Sequence, residues 1–239
     1  MLRDRQIVLA GGSGGLGSAT AELLEGEGAR LFVSYRSNAE RARRWNGIHA
    51  DLTVAEDRHR LLDNAPRIYA LVVFTGDPAR LSPGVAPGAS FEEALRRSHE
   101  VNFLGPILLA REAAERMKAA DIPGAIVLIS SMQARALFPG STAYAAQKAA
   151  LEHAARILAK ECRGRANIRV NVVSPGVIDA GMAQASIASG KYERFLKDGV
   201  VNRYGRVEDV ARAVRFLLEP DNYITGQVLG VDGGAGLGS

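Results

Sequence analysis

Short apolar runs alternate with longer stretches in which apolar residues recur at helical spacing, and this alternation continues along the whole chain. Residues 6–10, 29–35, 68–74, 125–129, 168–173 and 227–232 read as strands, several of them apolar at nearly every position. Such runs suit a parallel sheet covered on both faces. Residues 47–52 give a weaker third strand. Between the strands, helical periodicity predicts a helix opening near Ser18 and others over 53–63, 91–119, about 142–163 and 207–219. Residues 77–90 carry Pro78, Pro83, Gly84, Pro87 and Gly88 and read as a loop. Residues 177–205 are less regular, with apolar Met182, Ile187, Tyr192, Phe195 and Leu196, and read as a mobile substrate lid. Strands alternating with helices predict an α/β fold. No repeat or linker divides the chain, so residues 1–239 are expected to form one domain.

Composition narrows the function classes. With 239 residues, 47% hydrophobic and 23% charged, the chain has the make-up of a soluble globular protein. No apolar run approaches the roughly 18 residues of a membrane span, and the N-terminus has no secretory pattern. Cys162 is the sole cysteine, which excludes an internal disulfide and a cysteine-based zinc site. We assign no metal ligands and expect a cytoplasmic location. The net charge of +4 is mild. Arg41, Arg43 and Arg44 make a basic cluster, but a solvated helix face explains it better than a nucleic-acid patch. Neither nucleic acid nor membrane is expected as a partner.

Three stretches carry candidate chemistry. The first strand runs into Gly11-Gly12-Ser13-Gly14-Gly15-Leu16-Gly17 and then a helix. Strand, glycine-rich turn and helix N-terminus together make a cradle for a pyrophosphate. Secondly, the second strand ends in Tyr35-Arg36-Ser37-Asn38, without the carboxylate that would bind ribose hydroxyls. Arg36 can pair with a 2′-phosphate as a planar fork and Ser37 can add a hydrogen bond, which favours NADP(H) over NAD(H). Thirdly, a strand ends at Ser130-Ser131, and a helix beyond it carries Tyr144 and Lys148, four residues apart on one face. An ammonium near a phenol lowers its pKa, so that tyrosine can exchange a proton with a substrate oxygen while a serine hydroxyl holds that oxygen.

With these residues in view, the chain resembles the classical short-chain dehydrogenase/reductase family, and within it the 3-oxoacyl-carrier-protein reductases. The resemblance covers nearly all of residues 5–234. It rests on Ala10-Gly11-x-x-x-Gly15-x-Gly17, Asp51, Asn102, Ser131, Tyr144-x-x-x-Lys148 and Asn171-x-x-Ser174-Pro175-Gly176. Gly205-Arg206-x-Glu208-Asp209-Val210-Ala211 and Ile224-Thr225-Gly226-Gln227, with Val231-Asp232-Gly233-Gly234, complete it. The 13-residue interval to Tyr144 selects Ser131 over Ser130.

The resemblance implies a Rossmann fold with a seven-stranded parallel sheet of order 3-2-1-4-5-6-7. It implies hydride transfer between a nicotinamide and a carbonyl or alcohol, with Tyr144 as acid/base and Ser131 polarising the substrate oxygen. Lys148 also binds the nicotinamide ribose, and Asn102 holds a water linking Lys148 to solvent. The implied cofactor contacts are Gly11, Ser13, Gly14, Gly15, Leu16 and Gly17 at the pyrophosphate, and Tyr35, Arg36 and Ser37 at the 2′-phosphate. Asp51 and Leu52 border the adenine. Thr75, Gly76, Pro175, Gly176 and Ile178 follow toward the nicotinamide, with Ile178 offering backbone bonds to the carboxamide. Gln133 and Met182 join Ser131 and Tyr144 as substrate contacts.

Two positions depart from the family pattern. Val73-Phe74-Thr75-Gly76 stands where the family has Asn-Asn-Ala-Gly, and Ala180 stands where a threonine is usual. The first removes the amide contacts that brace that turn, the second a side-chain contact to the cofactor. The favoured reading is an NADP(H)-dependent reductase of a small-molecule ketone, such as an acyl or polyketide-like chain. An NAD-dependent alcohol dehydrogenase and a non-catalytic dinucleotide-binding protein are the alternatives. The resemblance also implies pairing of the Asn102 and Tyr144 helices between subunits. Ala149, Ala150, Ala154 and Ala155 give the second helix a small-residue surface, so we expect a homotetramer, with a dimer as second choice.

Overall fold

The chain is described by a computed structural model covering residues 2–81 and 86–237. Seven strands form one parallel sheet: β1 (Gln6–Ala10), β2 (Arg30–Tyr35), β3 (Ile48–His49), β4 (Ile68–Val73), β5 (Ala125–Ile129), β6 (Arg169–Pro175) and β7 (Val228–Val231). Their order is β3-β2-β1-β4-β5-β6-β7. The order reverses beside β1, where Val8 pairs with Phe32 on one side and Leu71 on the other. This is the switch point at which open α/β sheets place ligands, outside the carboxyl ends of the strands.

The helices are α1 (Gly15–Gly26), α2 (Ala39–Ala42), α3 (Ala55–Asp63), α4 (Pro87–His99), α5 (Gly105–Ala119), α6 (Thr142–Glu161), α7 (Gln184–Ala188), α8 (Glu193–Lys197) and α9 (Val207–Leu217). Every residue of β4 and β6 is buried, because helices cover both faces. One core packs Val8, Leu71, Ile126 and Val170 against Leu61, Leu109 and Leu151 of α3, α5 and α6. The other packs Ile7, Leu9, Val72 and Val127 against Leu24 of α1 and Val210, Val214 and Leu217 of α9. Strand residues thus alternate between the two cores with period two, and helix residues enter by threes and fours.

Several elements differ from the sequence reading. Helix α4 begins at Pro87, inside the stretch read as a loop, because proline at the first helical position sacrifices no internal hydrogen bond. Pro83 and Gly84 lie outside the described residues. The helix read over 91–119 is broken by a π-turn, Glu100–Leu104, centred on Asn102. Strand β6 runs through Ser174 and Pro175, which pair with Gly230 and Val231. The stretch 177–205 is more regular than its sequence suggests: it contains α7 and α8, and Tyr192 and Phe195 pack with Phe138, Met132 and Ala235 as a small third core. Its ends meet at an Ile178–Gly205 bridge, with Asp179 N donating to Gly205 O at 2.9 Å and Gly205 N to Val177 O at 2.9 Å.

Candidate active site

A single cleft of about 620 Å³ runs along the carboxyl edge of the sheet. Its first part is the glycine turn. Gly11 has φ +73°, and a Cβ on Gly17 would sit 2.5 Å from Gly12 Cα, so the turn and α1 approach as only glycines permit. Gly14 is the N-cap of α1 and supplies no side-chain cap, leaving the first-turn N–H groups directed at the cleft. Gly11 N donates to Ser34 Oγ at 3.0 Å, which ties the turn to β2. Gly11, Ser13, Gly14, Gly15, Leu16 and Gly17 all line the cleft.

Tyr35, Arg36 and Ser37 continue the lining from the end of β2. The Arg36 side chain has no acidic partner among the described residues. Arg41 lines the cleft beside it, a position the sequence reading assigned to a solvated helix face. Asn38 Oδ1 caps α2 by accepting from Arg41 N at 3.1 Å and fixes where that arginine emerges. Arg44 of the same cluster turns away, to Glu25 at 2.6 Å and Glu22 at 3.5 Å. Asp51 and Leu52 line the cleft after β3; Asp51 Oδ1 accepts from Thr53 N at 3.0 Å, and Leu52 O from Arg58 at 2.9 Å.

Thr75 and Gly76 follow β4, and Pro175, Gly176 and Ile178 follow β6. The turn after β4 lacks the family's amides, and its brace comes from one residue further on. Asn102 is wholly buried behind the cleft and does not line it. Its amide binds the backbone of Asp77 and Ser98 Oγ, while the Asp77 carboxylate accepts from Ala79 N at 2.7 Å and Arg97 Nε at 3.1 Å. Thr75 packs its methyl against Gly11, leaving its buried hydroxyl without a partner among the described residues. Ala180 packs over Gly15.

At the other end stand Ser131, Tyr144 and Lys148. Ser131 caps a 3-10 turn, Met132–Ala134, with Oγ accepting from Gln133 N at 3.2 Å, and its hydroxyl stands close enough to the Tyr144 phenol to favour its ionised form. Both serines line the cleft, but Ser130 is buried and its hydroxyl donates to Lys148 O at 3.3 Å, which leaves Ser131 as the serine available to a substrate. Lys148 is buried, and its Nζ donates to Ile129 O at 2.9 Å. Gln133 and Met182 line the same end, joined by Ser141, Ser186, Lys191 and Tyr192, which the sequence reading did not place in the site. Burial raises the pKa of the Tyr192 phenol, opposed by the side chains of Ser186 and of Gln133 from the loop after β5.

The electrostatics correct the expected tuning of the tyrosine. Burial pushes the Tyr144 phenol up to about 12, opposed by the Ser131 hydroxyl beside it and reinforced by Tyr192. Burial pulls the Lys148 ammonium down to about 8. Lys148 Nζ lies 5.8 Å from the Tyr144 ring centroid and is committed to the Ile129 carbonyl. In the chain by itself, desolvation of both groups therefore outweighs their mutual attraction.

Residues 10–236 match the family model described as enoyl-(acyl carrier protein) reductase. The chain belongs to the short-chain dehydrogenase/reductase family. It is an oxidoreductase on the Rossmann-type sheet described above. The chain is 35% identical to a 3-oxoacyl-[acyl-carrier-protein] reductase of Rattus norvegicus, over 97% of this chain and 98% of that one. It is 31% identical to a chloroplastic NADPH-dependent aldehyde reductase-like protein of Arabidopsis thaliana, over 98% and 94%. Among solved structures, the NADPH-dependent 3-quinuclidinone reductase of Rhodotorula rubra superposes with a TM-score of 0.81 at 26% identity, over 99% of this chain and 92% of that one.

Proposed function

We propose that the protein is an NADP(H)-dependent reductase that converts a ketone of a small or medium-sized metabolite to an alcohol. The observation carrying this reading is the Ser131 hydroxyl set beside the Tyr144 phenol, in the same cleft as a helix N-terminus without a side-chain cap and Arg36, which has no acidic partner among the described residues. These residues fit a dinucleotide: the α1 N–H groups meet its pyrophosphate, Arg36 and Arg41 its 2′-phosphate, and Asp51 and Leu52 its adenine end. Names of relatives that specify NADPH, from Arabidopsis thaliana and Rhodotorula rubra, support the same choice. Bound there, the nicotinamide supplies the hydride.

The chain's own residues manage the proton. Tyr144, protonated throughout the neutral range, donates to the carbonyl oxygen as that oxygen gains charge. Ser131 donates a second hydrogen bond to the same oxygen. Lys148 binds the ribose and supplies a positive charge beside Tyr144. Asn102 holds the turn that carries Gly76, and Ile178 presents backbone groups to the carboxamide. Gln133 and Met182 contact the substrate, and the lid over 177–205 covers it. A cytoplasmic homotetramer of single-domain subunits completes the reading; no helix among the described residues is long and apolar enough to cross a membrane. The test is a panel of ketones with NADPH followed at the nicotinamide absorbance. No turnover of any ketone, with cofactor still bound, refutes the reading and favours a non-catalytic binding protein.

A further inference from the structure

The charges lining the cleft are unbalanced. Arg36, Arg41, Arg80, Lys148 and Lys191 line it, while Asp51 is the one acid among the described residues that does so. Arg36 and Arg41 follow β2 and Asp51 follows β3, whereas Arg80 lies on the loop after β4 and Lys191 adjoins Tyr192 of the 177–205 segment. Lys191 Nζ lies 5.7 Å from the ring centroid of Tyr192, the lid tyrosine that raises the Tyr144 pKa. Arg80 follows the turn of Gly76, where a Cβ would lie 3.9 Å from Lys148 Nζ.

Neither Arg80 nor Lys191 has an acidic partner among the described residues, where neighbouring cations do. On the lid, Lys197 pairs with Glu193 at 3.0 Å and Arg203 with Asp209 at 2.7 Å. Glu193 is two residues from Lys191 yet serves Lys197. On the loop after β4, Asp77 takes Arg97 at 3.1 Å, and Arg97 in turn bonds the Arg80 carbonyl, leaving the Arg80 guanidinium without an acid among the described residues. An isolated surface lysine needs no explanation. Two exposed cations lining a low-dielectric cleft, with no acidic partner among the described residues, focus a positive potential on whatever enters.

We propose that the substrate is an anionic ketone, carrying a carboxylate or phosphate that Lys191 and Arg80 receive while the carbonyl sits between Ser131 and Tyr144. This rests on the reductase reading. The assay compares keto acids, with the carbonyl at increasing distance from the carboxylate, against their methyl esters and the matching keto phosphate monoesters. The expected result is a kcat/KM ratio of acid to ester of about three to ten, in keeping with exposed charge pairs. That ratio falls with added salt, falls toward one in Lys191→Met and Arg80→Met, and survives in Lys191→Arg. The phosphate arm tells which anion is preferred. Equal rates for acids and esters, variants that lower both alike, or a preference for neutral carrier-bound thioesters overturn the proposal. Calorimetry of the corresponding hydroxy acids and esters on the NADP-loaded protein separates the two readings. Selective acid binding without turnover of any ketone sinks the reductase and keeps the anion site; turnover without anion preference does the reverse.

Discussion

Asn102 holds Asp77 by both ends of its amide: Oδ1 accepts from the Asp77 N–H at 3.0 Å, and Nδ2 donates to the Asp77 carbonyl at 2.9 Å. The clasp fixes the turn that carries Gly76 into the cleft. Asn102→Leu fills similar volume and strands both backbone groups, and it should destabilise the fold by about 2–4 kcal/mol. Urea denaturation measures the loss. Cofactor titration should show weakened binding beyond it; unchanged stability and affinity would mean that the turn stands unaided.

Tyr144→Phe removes the phenol hydroxyl beside Ser131 and keeps the ring. The expected loss in kcat is about 10²–10⁴-fold, the usual worth of a positioned acid. Cofactor affinity, read by fluorescence titration, should stay within a few-fold. Near-normal turnover rules out the assigned role.

Lys148 sets a trade between activity and stability. Its ammonium, held at about 8 by burial against 10.5 when free, costs the fold about 3 kcal/mol at neutral pH. Lys148→Met should therefore raise Tm at pH 7 even after losing the Ile129 hydrogen bond, while turnover collapses. The unfolded chain binds the extra proton between pH 8 and 10.5, so wild-type stability rises across that window and the variant's advantage shrinks. Tyr144 acts oppositely above pH 10, where the unfolded phenol ionises first. Melting curves of both proteins from pH 7 to 11 check the signs, and equal Tm values throughout would show that the amine is solvated.

Arg36, with Arg41 beside it, should give NADPH a preference of about ten- to hundredfold over NADH, as expected for charge-assisted bonds to a phosphate. Replacing Tyr35 with Asp and Arg36 with Ala adds a ribose acceptor that repels the phosphate, and should shift the ratio toward NADH. The readout is kcat/KM for each cofactor. A parent that already prefers NADH would return the assignment to an NAD-dependent alcohol dehydrogenase.

Assembly is tested by mass in solution. Ala149, Ala150 and Ala154 lie outward on α6, whereas Ala155 is buried against the sheet and cannot belong to a subunit contact. The expected particle is a homotetramer at micromolar concentration; a monomer refutes the proposed helix pairing.

The sheet was legible because β4 and β5 are apolar at almost every position, and few other folds bury strands on both faces. What escaped depended on contacts distant in sequence. Prolines and glycines near residue 87 read as breakers, since sequence does not separate a helix-starting proline from a loop proline. The π-turn leaves no periodic trace. Arg41 looked solvated because α2 has four residues, too few for a helical face to show. Spacing put Tyr144 and Lys148 on one helix face, but did not reveal that Lys148 Nζ bonds Ile129 O. The lid's aromatic core was visible only as scattered apolar residues, because Phe138 reaches it from another loop.

The Ile178–Gly205 bridge gives the lid a property of its own. A segment whose two ends are stitched together is a cassette: its length and sequence can change while the exit from β6 and the entry to α9 keep their spacing. A Cβ on Gly205 would lie 2.4 Å from Ile178 Cδ1, so the stitch itself tolerates little change. Substrate range can therefore diversify by exchange of the intervening residues, with Ser131 after β5 and Tyr144 and Lys148 on α6 left undisturbed.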